Sequence, residues 1–282
     1  MAGSPAAVPP AESAPPLDGG GVADAEARFE VLATPFTEVK RLISSVERDV
    51  EPHENRKKIT LTRGQCLACA HFAQMVETAW CEEREQVAWD KRTTQHMVLL
   101  DQGGTGKTML VQEIFIPLVE WAFPADEHGD RWLVVAYSHA QADAISKGKI
   151  RARTLHNACA MRVQSLANTK MAPGAKKETL VRTWGNKVFL VDEEISMMPA
   201  EAVNMEMYRA TWGRSEKCGV EIDSYAEKEC LFGRMPLVLL LGDFLQLKPP
   251  RSISLVDDLI AKAREGKVVS VEAQAAAYLP SC

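Results

Sequence analysis

The stretch Met97-Val-Leu-Leu-Asp-Gln-Gly-Gly-Thr-Gly-Lys-Thr-Met-Leu-Val111 decides how the rest of the chain is read. Four apolar residues, Met97 to Leu100, predict a buried strand that Asp101 and the glycines bring to an end. Helical spacing resumes near Gly106 and continues towards Trp121, with a kink expected at Pro117. A glycine-rich turn between a strand and a helix is the context that a phosphate-binding loop requires. Glycines allow backbone amides to turn inward, and the start of the helix adds unpaired donors of its own. In that arrangement Gly103, Gly104, Thr105 and Gly106 cradle phosphate, Lys107 reaches the β- and γ-phosphates, and the Thr108 hydroxyl binds magnesium. The full pattern has glycine where this chain has Asp101. A carboxylate beside a triphosphate is electrostatically unfavourable, and losing the glycine is expected to restrict the turn.

Outward from this loop, strand-length apolar runs alternate with helical spacing. A helix is expected from about Arg63 into the eighties. Strands are expected at Trp132 to Ala136, Val188 to Val191 and Leu237 to Leu241, with helices at Ala140 to Ser146 and Pro199 to Trp212. Continuous apolar strands separated by helices indicate an α/β fold, a parallel sheet with helices on both faces. Ligands in such folds sit at the carboxyl ends of the strands.

Two further motifs fall at such ends. The first is Asp192-Glu193-Glu194-Ile195-Ser196-Met197. Nucleotide hydrolysis uses one carboxylate to hold hydrated magnesium and a second to orient water. Either Asp192 and Glu193 form that pair, or Glu193 and Glu194 do. The preferred reading gives the metal to Asp192 and the water to Glu193. The second motif is Gly242-Asp243-Phe244-Leu245-Gln246-Leu247-Lys248. A glutamine there can hydrogen-bond the γ-phosphate and report its loss, which assigns Gln246 as a sensor.

Taken together, these motifs resemble the PIF (petite integration frequency) DNA helicases and their RecD-like relatives of helicase superfamily one. The likeness covers about residues 60 to 260. It implies a RecA-like P-loop NTPase domain and an ATP-dependent helicase that uses Mg²⁺ and moves 5′ to 3′ on single-stranded DNA. It also implies roles in DNA repair, recombination and telomere maintenance. Leu61-Thr62-Arg63-Gly64-Gln65 is similar to the family segment whose glutamine contacts adenine, so Gln65 inherits that role by resemblance. Ala136 to Met161 is similar to the segment that touches the DNA backbone. It contains the candidate DNA-binding residues Ser138, His139, Lys149, Arg151, Thr154 and His156, within a basic run that also includes Lys147 and Arg153.

The organisation expected is an Ala/Pro/Gly-rich disordered tail over residues 1–25, then a linker over 26–59 with a short helix. The ATP-binding domain follows over 60–265, with a helix at about Leu255 to Arg264, and a tail over 266–282. A second RecA-like domain, which the family uses to complete the ATP site, is expected to be missing from this chain and supplied in trans. The alternative reading is a truncated, non-catalytic nucleotide- or DNA-binding module. A small-molecule P-loop kinase is a further rival, with Gly213 to Met235 as its candidate lid; the Gly242 to Pro250 run argues against it.

Composition narrows the context. The net charge is −5, so any DNA contact must come from a local basic patch. No apolar run approaches the ~20 residues of a membrane span. Seven scattered cysteines favour a reducing, intracellular compartment, and the acidic tail fits the nucleus better than the mitochondrion. Cys66-Leu-Ala-Cys69 near His71 has no second cysteine pair at zinc-finger spacing, and it reads as packed cysteines on a helix.

Overall fold

The computed structural model describes residues 34–48, 60–148, 150–161, 175–218 and 232–243. They build a five-stranded, wholly parallel sheet in the order β1-β5-β4-β2-β3, made of β1 (Gln95–Leu100), β2 (Trp132–Ala136), β3 (Arg153–Thr154), β4 (Phe189–Glu193) and β5 (Leu237–Gly242). The expected α/β class is therefore the one observed. In register, Leu100 lies beside Gly242 and Ala136 beside Glu193, so the strands end along one line at their carboxyl ends.

Alternation along each strand feeds two separate cores. On one face, Phe189, Val191, Val134 and Leu239 pack against α1 (Pro35–Arg48), α2 (Arg63–Arg84) and the helix that follows the phosphate loop. Phe72 sits at the centre, its ring 4.4 Å from Phe115 and 5.1 Å from Phe189. On the other face, Leu133, Val135, Leu190 and Leu240 pack against α6 (Leu155–Ala158), α7 (Ala175–Trp184) and α8 (Ala200–Cys218). Trp184 is fully buried there, and its indole N–H donates to the Ala158 carbonyl at 2.9 Å. The α7 and α8 helices approach so closely that a Cβ on Gly213 would lie 2.6 Å from the Leu180 carbonyl oxygen.

Several elements differ from expectation. The helix after the loop is not simply kinked at Pro117. It begins as α3 (Lys107–Leu110), widens into a π turn over Val111–Phe115 and continues as α4 (Ile116–Ala122). A proline ring clashes with the carbonyl four residues earlier in a regular helix, and the wider turn just before Pro117 makes room for it. The helix read at Ala140 to Ser146 is α5 (His139–Ile145). α1 lies in the stretch read as linker, and it buries Val39 and Leu42 against the first core. Cys69 is buried on α2 with its thiol pushed up to about 12 by burial, whereas Cys66 is exposed rather than packed. The helix expected at about Leu255 to Arg264 lies outside the described residues.

Candidate nucleotide site

The loop after β1 is shaped by two left-handed glycines, Gly104 at φ 80° and Gly106 at φ 87°. At Gly104 a side chain would meet nothing within 4 Å, so only the backbone conformation calls for glycine. At Gly106 space is also short, because a Cβ would lie 2.9 Å from Gln65 Nε2. Asp101 adopts no such conformation. Its carboxylate accepts the next residue's N–H, from Gln102, at 2.8 Å, so the expected restriction of the turn does not arise. Lys107 Nζ crosses the loop and donates to the carbonyls of Asp101 at 2.6 Å and Gln102 at 3.0 Å.

The Thr108 hydroxyl donates to Glu193 Oε1 at 3.1 Å. Burial pushes the Glu193 carboxyl above its ordinary range, and Thr108 and Lys107 partly pull it back while Glu194 pushes it further. Its other oxygen, Oε2, is buried without a protein partner. A hydroxyl and a carboxylate with a free oxygen are hard donors suited to magnesium, which normally keeps waters and substrate phosphates as its remaining ligands. These residues fit that ion.

Asp192 does not join them. The strand read as ending at Val191 continues to Glu193, and successive strand residues face opposite ways. Asp192 therefore points into the second core, beside Glu206 of α8 and near Cys159. Both carboxyls are fully buried and pushed upward by desolvation, Glu206 more so, and the neighbouring Asp192 charge raises Glu206 further. Asp192 is thus corrected from candidate metal ligand to a residue of the α8 packing. Of the acids open in the sequence, Glu193 is the one that meets Thr108, and Glu194 lies close enough to Glu193 to push its carboxyl upward. Glu194 is half-buried and held at φ 56°, a left-handed conformation that is costly for a glutamate.

Asp243, directly after β5, belongs to the Gly242 motif, in which sequence reasoning assigns a role only to Gln246. Its Oδ2 accepts the Gly103 N–H at 3.0 Å, and its own N–H donates to the Ser196 hydroxyl at 3.3 Å. It ties the phosphate loop to the acidic turn. The available signal was an acid at the end of a central strand. Gln246 lies outside the described residues.

Of the candidate DNA residues, Ser138 and His139 follow the carboxyl end of β2, and Thr154 and His156 lie at the end of the neighbouring β3 and the start of α6. Ser138 caps α5, its hydroxyl accepting the Gln141 N–H at 3.3 Å, and Gln141 Nε2 reaches Met197 Sδ at 3.0 Å. His139 is exposed, and Thr154 caps α6 beside the half-buried His156. The basic run is partly spent: Lys147 pairs with Glu113, and Arg153 donates to the Thr183 hydroxyl at 3.2 Å. Arg151 is exposed and bonds only to local carbonyls, and Lys149 lies outside the described residues.

No family model matches the chain, and no curated protein does. Solved structures do. The unliganded Pif1 from Bacteroides sp matches at a TM-score of 0.40 and 18% identity, over 72% of this chain and 36% of that one. Pif1 helicases studied for unwinding forked double-stranded DNA match at 0.37 and 15%, over 73% and 38%. Candida albicans Pif1 helicase matches at 0.37 and 20%, over 68% and 34%. In structure, then, this chain is similar to one portion, little more than a third, of each of these Pif1 helicases.

Proposed function

We propose that this chain is the ATP-binding motor domain of a PIF-like, RecD-related DNA helicase that couples ATP hydrolysis to 5′ to 3′ movement on single-stranded DNA. The observation that carries the reading is the contact at 3.1 Å between the Thr108 hydroxyl and the Glu193 carboxylate, made across the mouth of a glycine-shaped phosphate loop. Lys107 neutralises phosphate charge, the loop amides orient the phosphates, and Glu194 orients the attacking water. Thr108 and Glu193 would hold magnesium, which supplies charge neutralisation at the phosphates when bound. Gln246 keeps its assignment as γ-phosphate sensor on sequence grounds.

For DNA, Ser138, His139, Arg151, Thr154 and His156 form the candidate track, with Lys149 from sequence, positioning the backbone without reading bases. Support comes from the place of Ser138, His139, Thr154 and His156 at the carboxyl ends of the paired strands β2 and β3, β2 being paired in turn with β4, which leads into the acidic turn. Bacteroides Pif1 has been solved with ADP-AlF3 and single-stranded DNA, and this reading extends those ligands to the present chain. A second RecA-like domain, in trans or elsewhere in the polypeptide, would complete the ATP site. Repair, recombination and telomere roles, and a nuclear location, follow from the same proposal.

The test is ATP hydrolysis and nucleotide binding by the purified chain, with and without single-stranded DNA, beside Lys107→Ala. The reading expects Lys107-dependent binding and turnover raised by DNA. Binding that Lys107→Ala leaves unchanged would overturn it, and Lys107-dependent binding without turnover would favour the non-catalytic module.

A further inference from the structure

The family resemblance gives Gln65 to the adenine base. In the structure the side chain is already engaged with the protein. Its Oε1 accepts the Thr62 N–H at 2.8 Å, and its Nε2 donates to the Thr105 carbonyl at 2.8 Å. A donor on one side and an acceptor on the other leave only one orientation for the amide. The Thr62 hydroxyl accepts the Gln65 N–H at 3.2 Å, which completes a capping box at the start of α2. That helix is anchored by Phe72, Ala73, Met75 and Val76, all buried in the first core. Gln65 is therefore a fixed strut between a core helix and the phosphate loop.

The strut meets the loop at an informative bond. In a planar trans peptide the carbonyl and the following N–H point in opposite directions. Holding the Thr105 oxygen towards Gln65 turns the Gly106 N–H away from it. Gly106 is the residue at φ 87° that directly precedes Lys107, and an added Cβ there would strike the Gln65 amide, whereas one at the other left-handed glycine, Gly104, would meet nothing. The glutamine and the glycine are thus fitted to each other, and the phosphate-binding shape depends on both.

We propose that Gln65 is a positioning residue for the phosphate loop, acting on phosphate affinity whatever the base, in addition to any contact with adenine. The inference rests on the nucleotide-binding reading above. In an anion nest the peptide amides must be oriented before the anion arrives, and a brace that fixes one of them raises affinity for every polyphosphate equally.

The experiment measures binding of ATP, GTP and inorganic tripolyphosphate, each with Mg²⁺, to the wild-type chain and to Gln65→Leu and Gln65→Glu. Glutamate retains the capping box but cannot donate to the Thr105 carbonyl, so it guards against loss of the helix start. Thermal unfolding checks that each variant is folded, and hydrogen exchange over residues 103–108 reports the loop itself. The expected result is a loss of about tenfold for all three ligands in both variants, on the scale of one hydrogen bond to a carbonyl left unpaired. Faster exchange in the loop is expected alongside it. A loss confined to ATP, with tripolyphosphate unchanged, would assign Gln65 to the base alone and overturn the proposal; unchanged affinity for all three would overturn it as well. If the wild-type chain binds none of the three, the nucleotide reading itself falls and takes this inference with it.

Discussion

Replacing His96 with leucine tests how the sheet is buried. His96 sits on β1 opposite Val238, only 8% exposed, and its Nε2 has no hydrogen-bond partner. Burial disfavours the charged imidazolium and pulls its pKa from 6.5 down to about 4. A histidine depressed in the folded state is neutral there while the unfolded chain takes up a proton. Stability is therefore complete above the unfolded value of 6.5 and is lost as the pH falls towards 4. That depression corresponds to about 3 kcal/mol, a large part of a typical domain's ~5–15 kcal/mol. Leucine has a similar volume, carries no charge and leaves no ring nitrogen unpaired, so His96→Leu should match or exceed wild type at pH 7.5. Urea unfolding of both proteins at pH 4.5, 5.5, 6.5 and 7.5 gives the difference free of other titrating groups. It should grow in favour of leucine by about 2–3 kcal/mol from pH 7.5 to pH 4.5. A difference that stays flat with pH would refute the burial argument for this residue.

Other outcomes follow from the same geometry. Asp192→Asn should leave Mg²⁺-dependent ATP binding within about twofold of wild type, while Glu193→Gln should weaken it by about tenfold or more, on the scale of a charge-assisted hydrogen bond; titration calorimetry of the two variants distinguishes the two strand faces. Gly213→Ala should cost about 1–3 kcal/mol in chemical denaturation, because its methyl would sit 2.6 Å from the Leu180 carbonyl oxygen and 2.8 Å from Trp184 Cβ.

The central strands were legible because each is a continuous apolar run; β2 was read with the same bounds that the structure has, Trp132–Ala136. The glycine-rich loop was equally legible as a turn: it joins β1 to α3 where the sequence places it, with Gly104 and Gly106 left-handed. The acidic motif was not. Its reading turns on where β4 ends, and that is set by pairing with β2, Ala136 beside Glu193, which no residue of the motif announces. Two extra strand residues convert a row of loop acids into acids on opposite faces. The two-residue strand β3, Arg153–Thr154, carries no apolar pattern and owes its existence to the neighbouring edge of β2. Glu206, buried against Asp192, was hidden because a glutamate inside a long helix ordinarily reads as solvent-facing.

The π turn at Val111–Phe115 has a consequence for how this helix tolerates change in length. Such a turn holds one residue more than the regular helix, so it behaves as a single-residue insertion absorbed in place. Everything on the loop side, Lys107 and Thr108 included, is turned by about 100° relative to the core side, Ile116–Ala122, compared with an uninterrupted helix of 3.6 residues per turn. Gln112 within the turn donates to the Ile145 carbonyl at 2.6 Å and pins this offset to the end of α5. Deleting one residue here would not merely shorten the helix. It would restore regular winding and swing Lys107 and Thr108 more than a quarter-turn away from the loop carbonyls and Glu193 they now meet, while the core half stayed where it is.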